Sequence, residues 1–110
     1  MSNATISRRY AKALLELAEE AKQTPTVHKA LAAFAETWAS SDTLRDVFEN
    51  PSVSAESRQK VLDQVATRLA APPLLKNTLK LLADRGRMAL LPELAAAFNG
   101  LAQTATGQVE

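Results

Sequence analysis

Apolar residues recur at spacings of three and four along almost the whole chain, a pattern typical of amphipathic helices rather than of strands. The first helix is predicted from about Ser7 to Lys22, and Ser2-Asn3-Ala4 before it are assigned no structural role. Its inner stripe is predicted to be Ile6, Tyr10, Ala13, Leu14, Leu17, Ala18 and Ala21. A second helix is predicted with Thr24 as N-cap and Pro25 at its first helical position. Its inner face carries Val27, Leu31, Phe34, Ala35 and Trp38.

Polar caps and prolines divide the rest of the chain into four further helices. In "SSDTLRDVFENP", Ser41 or Asp42 is expected to cap a short third helix that ends at Asn50-Pro51. Its packing residues are predicted to be Leu44, Val47 and Phe48. Ser54 is predicted to cap a fourth helix, which "AAPP" terminates, with inner residues Val61, Leu62, Val65, Ala66 and Leu69. A fifth helix is predicted to start near Pro73, and a sixth with inner residues Leu94, Ala97, Phe98 and Leu101.

The stretch "ADRGRMALLPEL" forms a tight corner between the last two helices. Gly86 is predicted to take the left-handed conformation that ends a helix, and Pro92 to begin the sixth helix. Arg85 and Arg87 lie where positive charge favours the negative end of the helix dipole. Two readings of Arg87 are open: it ties the two helix ends together through carbonyls or Glu93, or it is simply solvated.

The sequence therefore predicts an all-α protein, a compact bundle of six short helices in a single domain. We assign residues 1–105 to this domain and residues 106–110, where the periodicity stops, to the start of a junction with a C-terminal part. A chain of 110 residues is large enough for one hydrophobic core.

Composition narrows the function classes. The chain has no cysteine, which excludes disulfides, cysteine zinc sites and thiol catalysis. Its net charge is +1, with both signs mixed along every segment, which argues against a nucleic-acid binder. No apolar run approaches the ~18 residues of a membrane span, and the N-terminus lacks an apolar signal core, so neither membrane insertion nor secretion by that route is expected.

No catalytic, cofactor or metal motif is found. His28 is the only histidine and is predicted to be an ordinary solvated side chain on the second helix. Glu19-Glu20 is read as a solvated helix face, and Arg8-Arg9 as a solvated rim rather than a phosphate contact. The three glycines form no phosphate-binding pattern. We predict no cofactor, and a binding or scaffolding role rather than an enzyme.

Two stretches resemble signatures of one family, the delta subunit of F-type ATP synthase, called OSCP in mitochondria. "ISRRYAKALLELAEE" resembles its opening helix, typically "arrYAkAlfelA", and "LLKNTLKLLADRGRMALLPELAAAF" resembles its "N-x-L-x-x-L-a-e-n-g-R-l-x-x-L-p-e-i" stretch. The matching positions of the second are Asn77, Leu79, Leu82, Ala83, Gly86, Arg87, Leu91 and Pro92. Asp84-Arg85 replaces the commoner Glu-Asn before the glycine. The resemblance identifies the chain as the N-terminal domain of such a subunit.

The resemblance implies a non-catalytic stator adaptor. In the family this domain binds the N-terminal helix of an alpha subunit at the crown of the catalytic head, and the C-terminal part binds the b subunits of the peripheral stalk. The head is thereby prevented from turning with the rotor during proton-driven ATP synthesis. The resemblance also implies a peripheral position at the cytoplasmic face of a membrane. The absence of an Arg/Ser-rich transit peptide favours a bacterial source. Because each helix has its own apolar stripe and stop signals, the isolated domain is predicted to be a monomer, and its mixed charges predict no nucleic-acid partner.

The first and fifth helices are predicted to form the groove for that alpha-subunit helix. The fifth helix has one apolar stripe for the core and a second, containing Leu74, Thr78 and Leu81, that is free to meet a partner. The predicted lining is Tyr10, Ala13, Leu14, Leu17, Asn77, Thr78 and Leu81. The alternative is that the extra leucines fill a crowded core. A generic helical interaction module unrelated to ATP synthase is the alternative function.

Overall fold

The computed structural model describes residues 2–105, with side chains over residues 2–103, and this part of the chain is helical without any strand. The six helices are α1 (Asn3–Glu20), α2 (Thr24–Ser40), α3 (Asp42–Glu49), α4 (Ala55–Arg68), α5 (Pro73–Asp84) and α6 (Leu91–Ala105), and a 3-10 turn (Met88–Leu90) precedes α6. The predicted six-helix, all-α fold is confirmed. The predicted junction at residues 106–110 lies outside the described residues.

Serine side chains cap three of the helix starts. Ser41 and Ser54 each accept a hydrogen bond from the backbone amide three residues further on, at 3.1 Å in both cases, as predicted. Ser2 caps α1 in the same way at 3.2 Å, so the first residues have a structural role that the sequence analysis did not assign. At α2 the N-cap is Gln23 and not Thr24, and its side chain makes no capping hydrogen bond.

Three helices end in the same left-handed turn. The residue after the C-cap has a positive φ at Lys22 (58°), Ala70 (54°) and Gly86 (67°). At α5 the amide of Arg87 then donates to the carbonyl of Leu82 at 2.8 Å, and the equivalent bonds at α1 and α4 are 2.8 and 2.9 Å long. The prediction for Gly86 is confirmed. The other two ends were missed because a non-glycine residue adopts this conformation only at a cost of ~1–2 kcal/mol.

The corner after α5 contains one more element than predicted. The 3-10 turn Met88–Leu90 buries the side chains of Met88 and Leu90. α6 then begins at Leu91, with Pro92 as its second residue instead of its first. Proline is tolerated there because the first amides of a helix have no intrahelical acceptor.

α6 lies at the centre of the bundle. Its most extensive contacts are with α1 and then with α2, while α5 packs against α1 and α4, and α3 packs against α2 and the 3-10 turn. The largest fully buried side chains are Phe34, Phe98, Leu14, Leu31, Leu62, Leu75, Leu79, Leu82, Leu91, Leu94, Val27 and Ser7. The radius of gyration is 13.6 Å, close to the ~13 Å of a compact chain of this length.

The buried face of α1 differs from the predicted stripe. Its buried residues are Ser7, Ala11, Leu14, Leu15 and Ala18. Ile6 and Tyr10 are half-buried, whereas Ala13, Leu17 and Ala21 are exposed. Alanine and leucine occupy several sides of this helix, so its periodicity fits two overlapping stripes, and only packing against α6 selects one of them.

Two arginines close the ends of α2 and α3. Arg45 donates to the last carbonyls of α2, including that of Ala39 at 2.8 Å. Arg58 reaches back from α4 to the end of α3, donating to the carbonyl of Val47 at 3.1 Å and to that of Asn50 at 2.7 Å. Ala39 and Val47 lie in the last turns of α2 and α3, where carbonyls have no donor within the helix, so both arginines satisfy backbone groups that helix termini leave unpaired. The carbonyl of Asn50 also accepts from the amide of Val53 at 3.1 Å.

An ionic cluster joins α4 to α5. Oδ1 of Asp63 lies 3.2 Å from Nζ of Lys80 and 3.5 Å from Nζ of Lys76. A hydrogen bond from Lys80 is the main cause that holds the pKa of Asp63 below its ordinary value of 3.8, with the charges of both lysines adding to it and desolvation opposing it. At the other end of the same interface, Nε2 of Gln59 donates to Oδ1 of Asp84 at 2.8 Å.

Candidate functional site: an apolar groove between α1 and α5

An open cavity of about 450 Å³ lies between α1 and α5. We call it the α1–α5 groove and define it by its lining residues, which α1, α5 and the corner after α5 contribute. They are Ile6, Arg9, Tyr10, Ala13, Leu14, Leu17, Thr78, Leu81, Arg85 and Arg87. The groove therefore combines an apolar interior with three arginine side chains.

Two leucines in the groove are unusually exposed. Leu17 of α1 is 47% exposed and Leu81 of α5 is 42% exposed, and these are the exposed large hydrophobic residues of the described chain. Fully burying an exposed leucine side chain is worth ~1.5–3 kcal/mol, so the bundle leaves part of this free energy unrealised at two positions that face the same cavity. An apolar surface of this kind indicates a site for a partner.

The register of α5 explains how one helix contributes to both core and groove. Leu75, Leu79 and Leu82 are fully buried. The groove residues Thr78, Leu81 and Arg85 follow at spacings of three and four on the adjacent side. The hydroxyl of Thr78 donates to the carbonyl of Leu74 at 3.0 Å, so this polar group is satisfied within α5.

The structure brings together six of the seven predicted groove residues. They are Tyr10, Ala13, Leu14, Leu17, Thr78 and Leu81. Leu14 is only 1% exposed and therefore belongs to the core as well as to the floor of the groove. Asn77 is exposed and is not a lining residue. At ~100° per residue it lies ~140° around α5 from Leu82, on the side away from the core.

The corner residues have a different role from the one expected for Arg87. Within the described side chains, the Arg87 guanidinium makes no hydrogen bond or ion pair, so the tie to Glu93 or to helix-end carbonyls is not formed. Its backbone amide makes the turn, while its half-buried side chain lines the groove together with Arg85. The sequence had suggested only that Arg85 and Arg87 interact with the negative end of the helix dipole. That interpretation gave no indication that their side chains line a groove.

Sequence reasoning missed Ile6 and Arg9 as lining residues. A usable signal was present, because Ile6, Tyr10 and Ala13 follow one another at spacings of four and three on one side of α1. Arg9 lies three residues after Ile6 and four before Ala13, on the same side. Arg9 had been read only as part of a solvated rim. The arginine was not recognised because its place beside the groove depends on the position of α5.

Outside the groove, a described histidine links two helices at the surface. Nε2 of His28 lies 2.8 Å from Oδ1 of Asn99, and the His28 ring stacks on that of Phe98 with 6.3 Å between the ring centroids. This histidine therefore connects α2 to α6 at the surface. Over the described residues, no group of three potential metal ligands occurs. Within that same range, every helix is too short or too polar to cross a membrane.

The fold and the groove together define an all-α bundle with an open apolar groove between two of its helices. The family model for "ATP synthase delta (OSCP) subunit" matches residues 6–110. The chain belongs to this family.

Individual relatives agree with the family match. The "ATP synthase subunit delta" of Myxococcus xanthus is 40% identical over 99% of this chain and 61% of its own length. That of Solidesulfovibrio magneticus is 39% identical over 97% of this chain and 60% of its own length, and that of Lacticaseibacillus paracasei is 34% identical over 90% and 54%. The chain thus spans about three fifths or less of the length of these relatives.

Proposed function

We propose that this domain is a non-catalytic stator adaptor of F-type ATP synthase, and that its α1–α5 groove holds the N-terminal helix of an alpha subunit. The adaptor keeps the catalytic head from turning with the rotor, at the periphery of the membrane-bound complex. The b subunits of the peripheral stalk contact the part of the family protein that lies beyond this chain. Membership of the delta (OSCP) family supports the assignment to ATP synthase.

The exposure of Leu17 and Leu81 on opposite walls of one cavity is the observation that carries the groove assignment. An amphipathic helix lays its apolar face into such a groove through anchors spaced at three and four residues. The exposed Ala13 lies on the α1 wall between Tyr10 and Leu17, and its small side chain lets a partner helix approach closely.

The expected affinity is moderate. If four or five apolar anchors are buried at ~1.5–3 kcal/mol each, the gross gain is ~6–15 kcal/mol. Ordering a loose peptide into a helix takes back ~2–5 kcal/mol, and association itself costs several more. We therefore expect a dissociation constant between micromolar and nanomolar for the isolated pair.

Calorimetric titration of the 110-residue chain with a peptide of the cognate alpha-subunit N-terminus tests the proposal. Leu81→Asp and Ala13→Asp should each weaken binding at least tenfold, since they place a charge in an apolar contact. Ala32→Asp is the matched control, because Ala32 is an exposed helical alanine outside the groove. Failure of the wild-type chain to bind the peptide would instead favour a helical interaction module with another partner.

The division between the two parts of the subunit is tested with the b subunits. We expect this chain to bind the alpha-subunit peptide and to show no affinity for the soluble part of the b-subunit stalk. Tight binding to the stalk by the 110-residue chain would contradict the assignment of that contact to the C-terminal part.

A further inference from the structure

We infer that the helix bound in the α1–α5 groove carries carboxylates along both edges of its apolar stripe, and that Arg9, Arg85 and Arg87 bind them. This inference rests on the proposed function only in taking the groove as the site of a helix. It adds the charge pattern of the partner, and it assigns a binding role to three arginines.

The groove is lined by charges of one sign, although basic and acidic residues are nearly balanced over the whole chain. The sequence has 13 basic and 12 acidic residues, for a net charge of +1. The charged residues that line the groove are nevertheless all basic: Arg9, Arg85 and Arg87. A surface that combines apolar side chains with one sign of charge is complementary to an amphipathic partner of the opposite sign.

These arginines are available for a partner, in contrast to the arginines of the α2–α4 region. Arg45 and Arg58 are committed to backbone carbonyls at the ends of α2 and α3. For Arg9, Arg85 and Arg87, no hydrogen bond or ion pair with another described residue is formed. The planar guanidinium group pairs with a carboxylate through two parallel hydrogen bonds, which fixes direction as well as charge.

The acidic residue next to this cluster makes no ion pair with it among the described residues. Asp84 precedes Arg85 directly, but its Oδ1 accepts a hydrogen bond from Gln59 of α4 at 2.8 Å. Its carboxylate is therefore engaged in the α4–α5 interface, and Asp84 is not a lining residue of the groove. The three guanidinium groups that line the groove are thus left without a carboxylate partner among the described residues.

The arginines also lie on both walls. Arg9 belongs to α1, whereas Arg85 and Arg87 follow the C-terminal end of α5. A helix seated between these walls has its apolar stripe against the leucines and its two flanks beside the arginines. Carboxylates are therefore expected on both flanks and not on one.

Two designed peptides test this pattern directly. Both are amphipathic helices of about 18 residues, or roughly five turns, with the same leucine stripe. One has glutamate and the other lysine at every position beside the stripe. The Glu-flanked peptide should bind the 110-residue chain ~10- to 100-fold more tightly at low salt, since each exposed pair contributes up to about fivefold. NMR shifts of Tyr10, Leu17 and Leu81 locate the peptide.

Charge-removing variants identify the residues responsible. Arg9→Gln and Arg87→Gln should each reduce the preference for the Glu-flanked peptide ~2- to 5-fold and weaken its salt dependence. Arg8→Gln is the matched control, because Arg8 is exposed beside Arg9 but does not line the groove. Equal binding of both peptides, or an equal loss in Arg8→Gln, would overturn the inference.

The alpha-subunit peptide separates this inference from the proposed function. If that peptide binds in the groove with no dependence on salt or on Arg9 and Arg87, the function stands and the charge pattern is wrong. If it fails to bind while the Glu-flanked peptide binds with the expected preference, the charge pattern stands and the alpha-subunit assignment is wrong.

Discussion

Leu17 of α1 and Leu81 of α5 face the same cavity from two different helices, with 47% and 42% of their surfaces exposed. The neighbour of Leu81 in the sequence, Leu82, is fully buried in the core. Successive residues of one helix thus divide between the groove and the core, because a step of one residue turns the side chain ~100° around the axis.

This division predicts that two adjacent substitutions affect different properties, one the stability of the fold and the other the affinity for the peptide. Leu82→Ala should reduce the free energy of unfolding by ~2–5 kcal/mol, because it leaves a cavity in a closed core. Leu81→Ala should reduce the free energy of unfolding by less than ~1 kcal/mol, but it should weaken binding of the alpha-subunit peptide about tenfold. Urea denaturation and calorimetric titration of both variants measure the two effects. A destabilisation by Leu81→Ala as large as that of Leu82→Ala would place Leu81 in the core.

The left-handed helix ends predict a stabilising glycine. Ala70 has a φ of 54°, so Ala70→Gly should raise the free energy of unfolding by ~0.5–1 kcal/mol. The control is Ala32→Gly, at an exposed position inside α2, which should lower it by ~0.5–1 kcal/mol. Thermal denaturation of both variants decides the sign, and a destabilised Ala70→Gly would contradict the strain argument.

The reverse substitution, from glycine to a larger residue, is expected to be destabilising at Gly86. Its φ is 67°, but a side-chain carbon there would meet nothing within 4 Å, so the penalty for substitution is conformational and not a steric clash with neighbours. Gly86→Val should therefore cost more than ~1 kcal/mol in unfolding free energy, because a β-branched residue is strongly disfavoured at positive φ. Gly100→Val is the control, at a helical glycine with equally open surroundings. Because valine has a slightly better helix propensity than glycine, this change should raise the unfolding free energy by no more than ~0.5 kcal/mol.

The Asp63 cluster predicts a pH-dependent stability. The pKa of Asp63 is lowered in the folded state, mainly by the hydrogen bond from Lys80. Its contribution to stability is therefore fully present above the ordinary pKa of 3.8 and is lost as the pH falls through the lower pKa of the folded state. Asp63→Asn should melt below the wild type at neutral pH, and the difference should disappear once the pH lies below the lowered pKa of Asp63 in the folded state. Asp46→Asn, at an exposed aspartate for which no ion pair with a described residue is found, is the control. A difference that persists in acid would show that Asp63 acts through packing.

The hydrogen bonds of Arg58 to the end of α3 predict that this half-buried arginine stabilises the fold. Arg58→Met keeps the aliphatic stem but leaves the carbonyls of Val47 and Asn50 without this donor, so it should cost ~1–3 kcal/mol of unfolding free energy. Arg8→Met, at an exposed position outside this network, should cost under ~0.5 kcal/mol. Equal stability of the two variants in urea denaturation would show that water replaces the guanidinium at the end of α3.

The sequence by itself determined the helical class, the number of helices and most of their boundaries. Those features depend on local chemistry: hydrophobic periodicity, serine caps at Ser41 and Ser54, and the glycine that ends α5. It also indicated the groove wall on α5, because a leucine stripe beyond the one needed for the core is visible in a single helix.

Only the tertiary structure decided which side of α1 is buried and which arginines share a surface. The alanines and leucines of α1 fit two stripes equally well, and packing against α6 selects the one containing Ala11 and Leu15. Arg9 and Arg87 are far apart in the chain and become neighbours of one groove only when α1 and α5 pack together. Periodicity fixes angles within a helix, but the relation between two helices is set by long-range packing, which no local pattern contains.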